Sequence, residues 1–268
     1  MKRVISGIIL LSLLGLSVWN DPPYFFIGFA ALVMGLALWE FYGLAARVGY
    51  HCYRFLGYCA AAVTLYAFSS NQFELILPMS VGLLLAMMIA ALFESQDNKD
   101  FSKIMGSVAS TFLGVFYVVV LAGFLVGVRV MASAPHSQLL SLFFLIIAAS
   151  DTGAYYTGRN LGRHKLAPRI SPGKTIEGSL GGLVAAIAIA FIVKYTFFSQ
   201  LPGWHALVLA IVMNIVGQLG DLFESLLKRG AGTKDAASII PGHGGLLDRL
   251  DSVLFNAPLL YYYSLIIS

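Results

Sequence analysis

Charged residues are scarce in this chain. Only 11% of its 268 residues are charged, whereas 59% are hydrophobic. Soluble globular domains carry about 25% charged residues, so a soluble core of this length could not hide so much apolar surface. The long unbroken apolar runs also exclude a transmembrane β-barrel, whose strands would alternate polar and apolar side chains. The sequence therefore predicts an all-α, polytopic membrane protein whose helices have lipid as their solvent.

Cysteine is nearly absent, and internal repeats are not detectable. The two cysteines, Cys52 and Cys59, lie seven residues apart on one predicted helix. This spacing places them on the same face about 10 Å apart, which is too far for a disulfide bond. We interpret both as small apolar packing residues. The lack of a repeat disfavours a transporter built from inverted halves.

Nine segments are long and apolar enough to predict membrane-spanning helices. The first follows Met1-Lys2-Arg3, as a secretory signal peptide would, but no small-residue cleavage site comes after it. We therefore expect an uncleaved first helix. The predicted spans are 4–19, 24–46, 52–69, 73–94, 105–130, 137–160, 176–198, 203–228 and 250–267.

Basic residues are unevenly distributed among the predicted loops. If the N-terminus is inside, every Lys and Arg falls at an inside end or loop except Arg129 and Lys194. Cytoplasmic loops of membrane proteins carry such an excess. We expect insertion in the cell membrane with a cytoplasmic N-terminus and an outside C-terminus. The net charge of +4 then reflects topology, and no nucleic-acid partner is expected, because no soluble basic domain could bind one.

The placement of acidic residues divides the chain into two regions. Residues 1–140 are predicted to form generic membrane helices, whereas residues 141–268 carry several acids in or at helices and form the predicted functional region. Glu40 is the exception in the first region, because it lies inside the second predicted span. It either pairs with a polar group of another helix, lies at the interface beside Trp39 and Tyr42, or contributes to the functional site.

A polar stripe runs along the eighth predicted span. An acid inside the bilayer is costly unless it faces a wet cavity, a metal or a partner. Hydrogen bonding between helices is the alternative for the stripe, since Asn and Gln often bond in this way. Its members are spaced by 4, 3, 4 and 3 residues and therefore share one helical face: Asn214, Gln218, Asp221, Ser225 and Lys228.

The densest concentration of charge follows this stripe, within residues 225–251. Gly244 and Gly245 in this segment would let the backbone approach a ligand closely and expose N–H groups to an anion. Two of its acids are three residues apart and share a face at the start of the last predicted helix, where acids also stabilise the helix dipole. Its charged residues and histidine are Lys228, Arg229, Lys234, Asp235, His243, Asp248, Arg249 and Asp251.

A second polar segment separates the sixth and seventh predicted spans. Asp151, Tyr155 and Arg159 are four residues apart and share a helical face. The run Ser-Pro-Gly-Lys-Thr at 171–175 is similar to the tail of a phosphate-binding P-loop, but it lacks the upstream glycine and a preceding strand. We therefore reject a Walker A assignment. Gly-Lys-Thr still suits phosphate, because it offers open N–H groups, an ammonium and a hydroxyl.

Together the two polar segments indicate metal-dependent transfer of a phosphoryl or nucleotidyl group onto a lipid. Carboxylates at the cytoplasmic ends of different helices can bind a hard cation such as Mg²⁺. The surrounding Lys and Arg residues suit a polyphosphate. Such a site would face the compartment that holds nucleotides and would open laterally to the bilayer. In this chemistry, positioning and charge neutralisation supply most of the catalysis.

The segment from Ser225 to Asp251 resembles the signature of the phosphatidate cytidylyltransferases, or CDP-diacylglycerol synthases. It contains Ser-x-x-Lys-Arg-x4-Lys-Asp and then Pro-x-His-Gly-Gly-x-x-Asp-Arg-x-Asp, without departure from that signature. Asp151 and the run at 171–178 are also similar to this family. The first 140 residues match it only in hydropathy and number of spans.

The resemblance implies that CTP and phosphatidate react to give CDP-diacylglycerol and pyrophosphate. The lipid phosphate would attack the α-phosphorus of CTP. Asp221 and Asp248 would be the Mg²⁺ ligands. A potassium ion beside the divalent metal and a homodimer are further implications of the family.

The resemblance also implies a role for each matching residue. Asp251 and Asp151 would support the metal ligands or contact substrate, and Ser225 and His243 would position phosphates or metal-bound water. Five cations would neutralise the phosphates: Lys228, Arg229, Lys234, Arg249 and Lys174. The other residues expected to bind substrate are Ser171, Thr175, Glu177, Gly244 and Gly245.

Two other classes of protein stay open from the sequence. One is a different membrane lipid nucleotidyltransferase or a CTP-dependent polyprenol kinase. The other is an ion transporter that uses Asp221 and Glu40. It would need charged residues at mid-membrane on several spans, whereas most charge here lies at one predicted edge of the membrane.

Overall fold

The computed structural model describes residues 12–97, 101–131, 135–237 and 244–267, with the backbone alone for 95–97. A helix at 12–19, here α1, opens the described chain. The helices that follow are α2 Tyr24–Arg47, α3 Arg54–Ser69, α4 Ile76–Asp97, α5 Ile104–Gly114, α6 Leu121–Val130, α7 His136–Leu161, α8 Ile176–Thr196, α9 Gly203–Gly230 and α10 Leu247–Ile267. A short 3-10 turn, Phe73–Leu75, precedes α4, and a π-helical segment, Val115–Val120, joins α5 to α6.

Seven described helical segments are long and apolar enough to cross a membrane, which confirms a polytopic, helical, integral membrane protein. Two of the nine predicted spans are not among these seven segments. The span at 4–19 begins outside the described residues, and α3 has 16 residues, fewer than the roughly 20 that cross a bilayer without thinning it. The count of nine therefore stays a prediction. The seven segments are Tyr24–Arg47, Phe73–Glu94, Ile104–Val130, His136–Leu161, Ile176–Thr196, Gly203–Gly230 and Leu247–Ile267.

A small β-hairpin, which the sequence did not predict, lies between α7 and α8. Strand β1, Lys165–Ala167, pairs antiparallel with β2, Ser171–Thr175, and the register sets Lys165 opposite Thr175. Pro and Gly inside β2 disfavour a strand by propensity, which is why local pattern concealed it. The hairpin carries the Gly-Lys-Thr run directly into the start of α8.

The contacts divide the chain into two compact units that interleave along the sequence. Unit one comprises Met1–Ala132 and Leu227–Arg249, and unit two comprises Ser133–Leu226 and Leu250–Ser268. Much of the charged segment at 225–251 therefore packs with the amino-terminal helices.

Unit one is held by close packing of aromatic rings against small residues. The ring of Phe68 lies 5.0 Å from that of Phe124, and a Cβ at Gly123 would collide with the Phe68 ring. The hydroxyl of Tyr42 donates to the carbonyl of Thr111 at 3.3 Å. Buried contacts of this kind tie α2 and α3 to the continuous run of α5 and α6.

Unit two is built on the close approach of α7 and α8. An ideal Cβ at Gly182 would lie 2.9 Å from the carbonyl oxygen of Ser150, and one at Gly153 would lie 2.8 Å from that of Gly181. Small residues let helix backbones approach each other in a membrane, where van der Waals packing replaces the hydrophobic effect as the driving force. This close contact positions the end of α7 and the start of α8 beside the hairpin.

Candidate functional site

The first two residues of the polar stripe, Asn214 and Gln218, form a chain of hydrogen bonds that links α7, α8 and α9 in unit two. Ser179 Oγ donates to Gln218 Oε1 at 2.6 Å, and Gln218 Nε2 donates to Asn214 Oδ1 at 2.7 Å. Asn214 Nδ2 in turn donates to Ser150 Oγ at 2.7 Å. Hydrogen bonding between helices, the alternative considered for the stripe, therefore accounts for Asn214 and Gln218.

Asp221, the next residue of the polar stripe, forms an ion pair. Asp221 Oδ2 lies 2.7 Å from Lys174 Nζ, with 34% and 22% of the two side chains exposed. Ser225 Oγ, one turn farther along α9, lies 3.4 Å from Asp221 Oδ1. The hairpin thus delivers the lysine of the Gly-Lys-Thr run to the acid of α9, and the sequence predicted both residues without predicting that they pair.

Further carboxylates surround this ion pair. Asp251 on α10 interacts electrostatically with Asp221, Asp151 and Lys174, and its Oδ1 accepts the N–H of Ser252 at 2.6 Å. Asp251 thus lies within the electrostatic range of two other acids and one ammonium in unit two. An excess of carboxylate is the donor chemistry that a divalent cation requires. In the part of the chain that the structure describes, however, no group of three ligating side chains converges on one point.

A second ion pair lies in unit one, where both carboxylate oxygens of Asp248 accept hydrogen bonds. Lys228 Nζ donates to Asp248 Oδ1 at 2.6 Å, and the two side chains are 13% and 12% exposed. Asp248 Oδ2 accepts the N–H groups of Gly245 at 2.9 Å and Ala236 at 3.2 Å. This carboxylate is therefore fixed by a cation on one oxygen and by the preceding loop on the other.

Glu40 joins the same end of α10 from the second helix. Its side chain is fully buried, Oε1 accepts the N–H of Leu246 at 2.8 Å, and Oε2 accepts the N–H of Leu247 at 2.7 Å. Of the three possibilities that the sequence left open, pairing with polar groups of another part of the chain is observed, and the partners are backbone N–H groups at the start of α10. A contribution of Glu40 to the functional site stays a prediction. The signal in the sequence was a carboxylate inside an apolar span, which did not reveal its partner.

The two glycines before α10 approach protein carboxylates. Gly244 has φ +81°, a left-handed conformation that glycine adopts readily. An ideal Cβ at Gly245 would lie 2.8 Å from Glu40 Oε2 and 2.9 Å from Asp248 Oδ2. In this structure the two glycines therefore lie close to carboxylates of the protein itself. Their binding of substrate stays a prediction.

Two residues at the start of α8 stabilise the hairpin and its loop. Thr175 Oγ1 accepts the N–H of Gly178 at 3.1 Å, which caps the helix. Glu177 accepts the N–H of Arg163 at 3.0 Å and pairs through Oε1 with His164 Nδ1 at 2.6 Å. These bonds hold Lys174 in place, whether or not the two residues also touch substrate.

The remaining predicted residues lie nearer the surface. Arg159 donates to the Tyr155 hydroxyl at 3.0 Å, which confirms that the two share a face of α7. Ser171 is half-buried at the start of β2. His243 lies outside the described residues. Three of the five predicted cations are exposed: Arg229, Lys234 and Arg249.

Comparison with known proteins identifies the family. The chain matches the family model described as "Cytidylyltransferase family" from residue 1 to residue 267. A phosphatidate cytidylyltransferase of Staphylococcus haemolyticus (strain JCSC1435) is 50% identical over 117 residues, which are 44% of this chain and 45% of the relative. A phosphatidate cytidylyltransferase of Bacillus subtilis (strain 168) is 47% identical over 118 residues, 44% of each chain. These alignments span less than half the length of the curated relatives. The family match over the chain's length shows that it belongs to the cytidylyltransferase family.

Proposed function

We propose that this protein transfers the cytidylyl group of CTP to phosphatidate, forming CDP-diacylglycerol and pyrophosphate. The observation that carries the proposal is the Asp221–Lys174 ion pair. It brings the Gly-Lys-Thr run and the acid of α9 together in a member of the cytidylyltransferase family. The names of its relatives supply the lipid substrate.

The proposed reaction is one displacement at phosphorus. An oxygen of the phosphatidate phosphate forms a bond to the α-phosphorus of CTP while the bond from that phosphorus to the bridging oxygen breaks, and pyrophosphate leaves with the bonding electrons. An ionised phosphate is already nucleophilic, so the protein needs no strong general base. Its task is to bring two polyanions together and to neutralise their charge.

Lys174 and Lys228 suit that task because each ammonium is held in place by a carboxylate. A cation fixed by a partner needs little reorganisation when a phosphate oxygen arrives. Exposed Arg229, Lys234 and Arg249 add positive charge from the adjoining segment. In this proposal, substrate phosphates bind the lysines in exchange for, or in addition to, the carboxylates.

We propose Mg²⁺ as the divalent cation, with Asp221 and Asp248 as its ligands. Asp221 fits this role because it is partly exposed and Asp251 and Asp151 are nearby carboxylates. Asp248 fits because two backbone N–H groups and the Lys228 ammonium hold its carboxylate in place, and it would supply an oxygen ligand. Bound there, Mg²⁺ would neutralise charge that develops on the departing pyrophosphate. A K⁺ ion beside it and a homodimer are further proposals that rest on the family resemblance.

The site is proposed to face the cytoplasm. The positively charged ends of α7, α9 and the hairpin support this orientation, and CTP is a cytoplasmic nucleotide. Phosphatidate would then reach the site from the inner leaflet.

Pyrophosphate release by the purified protein tests the proposed function. We expect release in detergent–lipid micelles to require CTP, phosphatidate and Mg²⁺ together, to stop with a chelator, and to accompany formation of a cytidine-labelled lipid. Polyprenol in place of phosphatidate is the control substrate. No metal-dependent pyrophosphate release with phosphatidate would contradict the proposal, and phosphorylation of polyprenol would support the kinase alternative.

A further inference from the structure

We infer that Glu40 is a positioning residue that caps the N-terminus of α10 and so fixes Asp248 against Lys228. The sequence left the role of Glu40 open among three possibilities, and the family signature at 225–251 does not include it. The inference concerns the proposed site and therefore rests on the proposed function for its kinetic consequence. Its structural consequence stands independently of that function.

Burial of the Glu40 carboxylate has a cost that its partners must offset. A carboxylate with no exposed surface in a membrane-spanning helix is expensive unless hydrogen bonds or an opposite charge compensate it. Both oxygens of Glu40 are compensated, each by one backbone N–H, from Leu246 and Leu247. The first N–H groups of a helix have no partner within that helix and carry a partial positive charge. Glu40 therefore satisfies donors that would otherwise be buried and unpaired.

The N–H groups that Glu40 binds lie where α10 begins. Leu246 and Leu247 directly precede Asp248, so their N–H bonds set where α10 begins and where its first carboxylate points. Gly245, one residue earlier, donates to Asp248 itself. Glu40 and Asp248 thus divide three consecutive N–H groups between them. If Glu40 is lost, Asp248, which already accepts the N–H of Gly245, is available to the freed donors and is drawn away from Lys228.

The capping carboxylate comes from α2, which is far from α10 in sequence. Its two hydrogen bonds join residues that are 206 and 207 positions apart in sequence. They therefore fix the charged segment to α2, a predominantly apolar helix. Leucine N–H groups buried at a membrane boundary have no water to accept them. A carboxylate already inside the bilayer is the kind of acceptor that reaches them there.

Hydrogen exchange in the protein without substrates is the direct test. We expect Glu40→Ala to accelerate amide exchange at Leu246 and Leu247 about tenfold, the effect of losing a helix cap, while peptides from α3 and α6 exchange as in the wild type. Glu40→Gln keeps one carbonyl acceptor and should give an intermediate rate. Glu74→Gln is the matched control, because it removes the same charge from an exposed position of unit one.

Kinetics separate positioning from general stabilisation. We expect Glu40→Ala to lower kcat about tenfold and to leave the KM for phosphatidate within about twofold, with partial recovery in Glu40→Gln. Unchanged exchange at Leu246 and Leu247, or an equal rise in α3 and α6, would overturn the inference. If Glu40→Ala does not purify as folded protein, the comparison of Glu40→Gln with Glu74→Gln decides it. A wild-type protein without transferase activity would overturn the proposed function and leave the exchange result to be judged by itself.

Discussion

At the scale of single residues, two lysine–carboxylate ion pairs contain the charged groups that we propose to act on the substrates. Exposed ion pairs contribute little to stability, but the pair of Lys228 with Asp248 is largely buried and the pair of Lys174 with Asp221 is partly buried. Removing one partner of such a pair leaves the other charge uncompensated. Charges retained at this cost in an apolar protein are expected to act on a ligand.

Asp221→Asn and Asp248→Asn are each expected to reduce turnover more than about 100-fold, because each removes a charge that the proposed transition state requires. Initial rates of pyrophosphate release measure the effect, and Glu74→Gln again serves as the control for loss of a carboxylate. Size-exclusion elution at the wild-type volume establishes that each variant is folded. Near-normal turnover in either variant would remove that aspartate from the site.

At the scale of helices, the approach of α7 to α8 determines where the hairpin lies. The contact depends on glycines, since a Cβ at Gly182 would lie 2.9 Å from a backbone carbonyl that cannot move aside cheaply. The hairpin and the Thr175 cap begin at the ends of these two helices. A change in helix spacing would therefore be transmitted to Lys174.

Gly182→Val is expected to destabilise unit two, because overpacking a close contact costs about 1–3 kcal/mol. The midpoint of thermal unfolding in detergent should fall by several degrees relative to Gly28→Val. That control places the same β-branched side chain in an apolar helix where an added Cβ meets nothing within 4 Å, so differences in helix propensity cancel. Equal melting temperatures for the two variants would show that the α7–α8 contact tolerates extra volume.

At the scale of the whole molecule, the distribution of basic residues is the main asymmetry. The loops predicted to be cytoplasmic contain nearly all Lys and Arg residues. Arg129, one of the two exceptions, is buried and pairs with Asp21 at 2.6 Å. A basic residue neutralised by an acid is weaker evidence against the proposed topology than an isolated one.

Thiol labelling tests this topology. After Cys52 and Cys59 are replaced by Ala, Lys165→Cys in the hairpin and Gln200→Cys between α8 and α9 place single exposed thiols on opposite predicted sides. A membrane-impermeant maleimide should label Gln200→Cys in intact cells and Lys165→Cys only after lysis. The reverse pattern would contradict the proposed cytoplasmic site.

Hydropathy and residue spacing were sufficient for several features of this protein. The membrane class follows from composition, because the cost of placing apolar residues in water or charges in lipid is a sum over residues. Most helix positions follow from the same runs. The charged segment from Ser225 to Asp251 carries the family resemblance, because a signature is a matter of order along the chain. Each of these is a local property and needs no knowledge of which helices are neighbours.

The pairing of distant groups was decided by the tertiary structure. Spacing placed Lys228 on the face of Asp221, yet Asp221 pairs with Lys174 and Lys228 pairs with Asp248. Glu40 meets the start of α10 across 206 residues of sequence. Lys174 reaches its partner from a strand that local propensity disfavours. These contacts depend on which helices pack together, and periodicity indicates only which face of a helix is polar, never which partner that face will meet.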